Sequence, residues 1–92
     1  MPIARLRILG GANAGLEFSI ERDGSYVLGR SDDADFQVRD MMASRRHAML
    51  TIRGDFAVVE DLDSTNGTLV NGVPIKRQEL RSGDRITIGS TD

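Results

Sequence analysis

Thr68-Leu69-Val70-Asn71-Gly72-Val73-Pro74-Ile75 reads as two short apolar strands joined by Asn-Gly, the dipeptide that most strongly signals a two-residue type I′ hairpin because both turn residues must take positive φ. The same pattern recurs outward from it. Gly54-Asp55 joins Ala48-Met49-Leu50-Thr51-Ile52 to Phe56-Ala57-Val58-Val59 as a second hairpin. Two-residue alternation marks Arg5-Leu6-Arg7-Ile8, Leu16-Glu17-Phe18-Ser19-Ile20 and Arg85-Ile86-Thr87-Ile88, and Tyr26-Val27-Leu28 is a denser apolar run. Gly, Asn and Asp clusters at Gly10-Gly11, Asp23-Gly24, Asn66-Gly67 and Gly83-Asp84 separate these runs, and no window keeps a 3.6-residue apolar period. The expected fold is therefore all-β, a two-sheet antiparallel β-sandwich of many short strands. Pro74 belongs on a sheet edge. With four aromatic residues in the chain, the core is expected to be mainly aliphatic, built from Ile8, Phe18, Val27, Leu28, Phe36, Met49, Ile52, Val58, Ile86 and Ile88.

The 92 residues make one domain, residues 1–92, without linker, repeat or low-complexity segment. There are no cysteines, so disulfides, thiolate metal sites and cysteine nucleophiles are excluded, which suits a reducing compartment. The N-terminal residues lack the apolar run of a signal peptide, and no stretch approaches a membrane span, so a soluble cytoplasmic location is expected. A net charge of −2 argues against non-specific nucleic-acid binding, which needs a basic face. Eleven of the twelve basic residues are Arg, with Lys76 the exception. Arg presents a planar fork of donors that fits phosphate or carboxylate, although codon usage alone also enriches it.

Four short motifs stand in order within fewer than fifty residues: Gly29-Arg30, Ser44-Arg45-Arg46-His47, Ser64-Thr65-Asn66-Gly67-Thr68 and Asn71-Gly72. Arg30 follows a strand and opens a loop, where a guanidinium can meet a phosphate through paired charge-assisted hydrogen bonds; a structural salt bridge to Asp32, Asp33 or Asp35 is the competing reading. Ser44 and Thr65 offer hydroxyls, Arg45 offers charge, and Asn66 offers an amide matched to an extended peptide backbone. Ser-Thr-Asn-Gly is also simply good turn chemistry. His47, the sole histidine, invites a catalytic pairing with Ser44, but a nucleophilic serine also needs an orienting group and an oxyanion hole, neither of which the sequence supplies. Asp61-Leu62-Asp63-Ser64-Thr65-Asn66-Gly67 fails as a calcium loop: Gly falls one position late, and Gly72 stands where a bidentate Glu is required.

Together the motifs resemble the forkhead-associated (FHA) family, over roughly Tyr26 to Gly89. The resemblance implies a module that binds phosphothreonine-containing segments of proteins phosphorylated by a Ser/Thr kinase, with no enzymatic activity, cofactor or metal. It implies that Arg30, Ser44, Arg45, Thr65 and Asn66 contact the phosphopeptide, and that Gly29, His47, Gly67, Asn71 and Gly72 are structural. Selectivity in the family often depends on the residue three positions after the phosphothreonine, and Met41, Met42 and Arg46 become candidate readers of it. It also implies one further strand after Gly89, for which three residues remain, so the fold is expected to lack its final C-terminal strand. Such an edge favours an alternative role as an assembly module that self-associates independently of phosphate. Strand counting does not bring the three loops together, because the short element Phe36-Gln37-Val38 leaves strand directions ambiguous; their convergence follows from the resemblance alone.

Overall fold

The computed structural model describes residues 4–7, 17–81 and 83–88. Among the described residues ten strands follow in chain order: β1 (Ala4–Arg7), β2 (Glu17–Ile20), β3 (Gly24–Gly29), β4 (Phe36–Gln37), β5 (Ala48–Arg53), β6 (Phe56–Asp61), β7 (Thr68–Val70), β8 (Val73–Ile75), β9 (Arg77–Leu80) and β10 (Ile86–Ile88). The described strands form a five-stranded sheet of order β4-β3-β5-β6-β9, a three-stranded sheet β10-β7-β8 and a separate pair β1-β2, all contributing to one shared core. The expected sandwich is present, and all its pairings are antiparallel except β3 with β4. That exception removes the ambiguity in strand direction. β4 pairs Phe36 with Leu28 and Gln37 with Gly29, so it runs beside β3 toward the same end of the sandwich.

Both hairpins form as the sequence indicates. Val70 pairs with Val73 across a two-residue turn in which Asn71 and Gly72 have φ of 51° and 82°, the double positive φ of type I′. Arg53 pairs with Phe56 across Gly54-Asp55. β8, carrying Pro74, is an edge strand.

The core lies between the layers. Leu28, Leu50, Ile52 and Val59 of the five-stranded sheet meet Ile20, Val70 and Ile88 from the opposite layer. Each such side chain contributes about 1.5–3 kcal/mol when fully buried. Two expected core residues are corrected. In β5 and β6 the inward phase is carried by Leu50 and Val59, paired opposite one another, so Met49 and Val58, one residue out of phase, are only half-buried on the other face. The expected core residues Phe18 and Phe36 are joined by Tyr26, with Phe36 stacked on Phe18 (centroids 4.9 Å apart) and on Tyr26 (5.3 Å). β9, Arg77-Gln78-Glu79-Leu80, is a strand that no sequence signal indicated; it forms by pairing with β6 at the sheet edge. Ile8 and residues 89–92, where the exposed final edge was expected, lie outside the described residues.

Candidate functional site

β3, β4 and β6 end, and β5 and β7 begin, at one end of the sandwich. Three loops, residues 30–35, 38–47 and 62–67, therefore start or finish there. Hydrogen bonds then bind them into one surface. Arg30 N–H donates to Ser44 O (3.0 Å), Ser31 N–H to Arg45 O (3.1 Å) and His47 N–H to Leu28 O (2.9 Å), so the chain entering β5 lies along the end of β3. This approach explains Gly29. A Cβ there would stand 2.0 Å from Arg45 O, a backbone atom with no freedom to move aside.

His47 is fully buried and both ring nitrogens are engaged. Gly67 O can only accept, so Nε2 carries the proton it donates at 2.7 Å, and Nδ1 accepts the Ser44 N–H at 2.9 Å. The ring thus fixes two loops in one tautomer. The same geometry excludes a Ser44–His47 nucleophile pair, because neither nitrogen is available to take the Ser44 hydroxyl proton.

Ser44 is the junction between loops. Its Oγ accepts the Thr65 N–H (3.0 Å), which leaves its own O–H to donate elsewhere. Asn66 Nδ2 donates to Met42 O (2.7 Å); part of the amide is thereby used within the protein, and Oδ1 remains open. Arg30 Nε donates to Ala43 O (3.1 Å), anchoring the guanidinium while its Nη hydrogens have no partner among the described residues. The acids that competed for Arg30 are engaged otherwise: Asp35 accepts Val27 N–H, Asp32 accepts Gln37 Nε2 and Asp33 accepts the Ser31 hydroxyl. Thr65, Arg45 and Arg46 are exposed around this junction. Asp33 titrates below the ordinary carboxylate value chiefly because of the Ser31 hydroxyl, with its own backbone N–H and the nearby Arg46 and Arg45 charges adding.

Two acids at this end have roles that the sequence reading did not assign. Asp61 receives the Ser64 hydroxyl, the Ser64 N–H (3.2 Å) and the buried Thr68 hydroxyl (2.7 Å). Burial works to raise its pKa, but these hydrogen bonds, with the nearby His47, outweigh burial and hold it below the ordinary value. The legible signal was Asp followed three residues later by Ser, the side-chain-to-backbone pattern of a capped turn. Asp40, buried, accepts Met42 N–H (2.8 Å) through Oδ1 and Ala43 N–H (3.0 Å) through its backbone carbonyl. Asn71 and Gly72 sit at the opposite end, where Asn71 Oδ1 accepts Arg85 N–H (2.9 Å) and its Nδ2 donates to Asp84 (3.0 Å). No group of three or more His, Asp or Glu among the described residues is placed to hold a metal, and none of their helices is long and apolar enough to cross a membrane.

The family model for the FHA domain matches residues 26–89. This chain belongs to the FHA family. The FHA domain is 42% identical over 71 residues to FhaA of Mycobacterium tuberculosis, covering 77% of this chain and 14% of that protein. It is 40% identical over 87 residues to the oxoglutarate dehydrogenase inhibitor of Corynebacterium glutamicum, covering 94% and 59%. The chain thus spans less than two thirds of either relative. The crystal structure of the FhaA FHA domain complexed with the intracellular domain of Rv3910 superposes with a TM-score of 0.85 at 37% identity, covering 95% of this chain and 92% of that one. A structure solved for phosphothreonine-dependent FHA domain interactions superposes with a TM-score of 0.86 at 38% identity, covering 95% and 88%. The chain is accordingly an FHA domain, similar to domains found in regulatory proteins and to one studied for its phosphothreonine-dependent interactions.

Proposed function

We propose that this FHA domain binds an extended segment of a partner protein through a phosphothreonine, with Arg30, Ser44, Arg45 and Thr65 contacting the phosphate and the open part of the Asn66 amide pairing with the peptide backbone. The observation that carries this reading is the junction at Ser44. Three loops are held there by backbone and ring hydrogen bonds, while the Arg30 Nη groups, the Ser44 hydroxyl proton, the Arg45 guanidinium and the Thr65 hydroxyl remain unspent on one surface. Donors fixed in advance lose little freedom on binding, and each hydrogen bond to a charged phosphate is worth about 1.5–3 kcal/mol. The partner is then a substrate of a Ser/Thr kinase, and the domain works in the cytoplasm.

Burying the threonine methyl contributes about 0.8 kcal/mol, around fourfold over phosphoserine, and the stiffer χ1 of a β-branched residue adds to it. A measurable but not absolute preference is expected. Because phosphate loses its second charge near pH 6, affinity is expected to fall below about that pH.

Calorimetric titration with a degenerate phosphothreonine peptide library, its unphosphorylated counterpart and the Arg30→Ala variant tests the reading. Micromolar binding that needs both phosphate and Arg30 supports it. No binding by a folded domain would reject it in favour of a phosphate-independent assembly surface, and self-association would then be measured by sedimentation.

A further inference from the structure

Asp40 is the buried residue of an otherwise exposed turn: it is 8% exposed, although Met41 and Met42, the next two residues, are 86% and 54% exposed. A buried acid is tolerated only when it is hydrogen-bonded. Asp40 Oδ1 accepts the Met42 N–H (2.8 Å) and its carbonyl accepts the Ala43 N–H (3.0 Å), so side chain and backbone close the same turn. That closure fixes a direction, because a peptide unit is planar and trans and its N–H and C=O point opposite ways. In the unit joining Met42 to Ala43 the N–H turns back to Asp40, and the carbonyl accepts Asn66 Nδ2 (2.7 Å). In the next unit the Ser44 N–H goes to His47 Nδ1 (2.9 Å), and the Ala43 carbonyl accepts Arg30 Nε (3.1 Å). Two consecutive peptide planes are thus held from one side by buried polar residues, and from the other they hold one side chain of each neighbouring loop.

We infer that Asp40 is a positioning residue of the recognition surface that acts through Asn66, while His47 acts through Arg30. The inference rests on the phosphopeptide reading and deepens it by dividing the supports of the site between two parts of the ligand, the peptide backbone paired with Asn66 and the phosphate met by Arg30. Asp40 itself touches no ligand. Without its side chain the turn keeps only the Ala43 N–H bond, the Met42 carbonyl loses its fixed direction, and the Asn66 amide must be ordered again each time a peptide binds. What the turn needs at residue 40 is an acceptor and not a charge, so asparagine, with an oxygen in the place of Oδ1, serves as well.

Double-mutant cycles on the 92-residue chain test the division, using one phosphothreonine peptide selected from the library above and thermal unfolding of every variant. Asp40→Ala is expected to raise Kd about fivefold, the worth of about one hydrogen bond, and Asp40→Asn to bring it back to within about twofold of the parent. Beside Asn66→Ala the same Asp40→Ala change moves Kd by less than about twofold, whereas beside Arg30→Lys the full rise of about fivefold remains. Should Asp40→Ala not fold, Asp40→Ser, whose hydroxyl makes the same turn more weakly, takes its place with a rise of about threefold and the same pattern of coupling. No rise in a folded variant, a rise that persists beside Asn66→Ala, one that vanishes beside Arg30→Lys, or an asparagine variant as weak as the alanine one would each overturn the division and leave the phosphopeptide reading standing. A parent chain that binds no phosphopeptide, or binds without regard to phosphate, would overturn both.

Discussion

Each end of the sandwich has a side chain that brackets two backbone segments, and the two brackets differ in where they do so. At the loop end the His47 ring, with no exposed surface, joins the Ser44 N–H to the Gly67 carbonyl. At the hairpin end the exposed Asn71 amide ties its own turn to the 84–85 segment, donating to the Asp84 carboxylate and accepting the Arg85 N–H. Water can replace what Asn71 provides, but nothing replaces what His47 provides in a dry interior, where an unmet donor or acceptor costs about 1–3 kcal/mol. The loop end is also irregular backbone, without a ladder to hold it, whereas the hairpin end continues paired strands. The proposed binding surface, made of loops, is thus held by buried polar contacts that the paired strands of the hairpin end do not need.

The sharpest break of this contrast is Gly29→Ala, which pushes a methyl into Arg45 O and separates β3 from the 44–47 segment. We expect a loss of about 4 kcal/mol in urea unfolding, and a loss under about 1 kcal/mol would mean that the close approach relaxes easily. His47→Ala is expected to cost about 3 kcal/mol through the cavity and two orphaned backbone groups, and to weaken phosphopeptide binding although the residue is buried beneath the site. Arg30→Ala divides function from stability: Kd rises at least thirtyfold, from a loss of about 2 kcal/mol, while unfolding shifts by less than about 1 kcal/mol. Asn71→Ala, at the other end, costs about 1 kcal/mol, largely because alanine resists the positive φ of the turn, and leaves binding unchanged; Asn71→Gly, which accepts that φ, costs less.

Acid makes the finest distinction. Asp61 has a folded pKa below its ordinary value of 3.8. Its stabilising contribution is complete above that value and is lost as pH falls through the lower folded one. Asp84 at the hairpin end behaves likewise, held down first by the Arg81 N–H and then by Asn71. Stability is expected to decline below pH 3.8, and comparison of Asp61→Asn with Asp84→Asn assigns the slope to one end or the other. Phosphopeptide binding measured near neutral pH, where the phosphate keeps its second charge, should be weakened by Asp61→Asn and left unchanged by Asp84→Asn.

Turn chemistry was the most legible part of the sequence, because Asn71-Gly72 and Gly54-Asp55 declare local backbone geometry. Strand phase was less so. In Ala48-Met49-Leu50-Thr51-Ile52 every second residue on either count includes an apolar side chain, and only the opposing layer decides that Ala48, Leu50 and Ile52 face inward. β9 was illegible, since an edge strand exposed on nearly all its residues needs no apolar alternation. At the loop end, the motif residues Arg30, Ser44, Thr65 and Asn66 stood out by type and order, and the structure brings them to one surface. The roles of Asp61, weighed only as a calcium ligand, and of Asp40 were not legible, because their work is to hold backbone and hydroxyl groups of neighbouring residues, and any acidic residue looks alike until its partners are known.

His47 has one further consequence. It is the sole histidine of the chain, and its Nε2 proton is sequestered in a hydrogen bond that opens only when the Gly67 loop departs. A single imidazole resonance, with its exchange rate, therefore serves as an intrinsic probe of how often the recognition surface comes apart, needing no label beyond nitrogen-15.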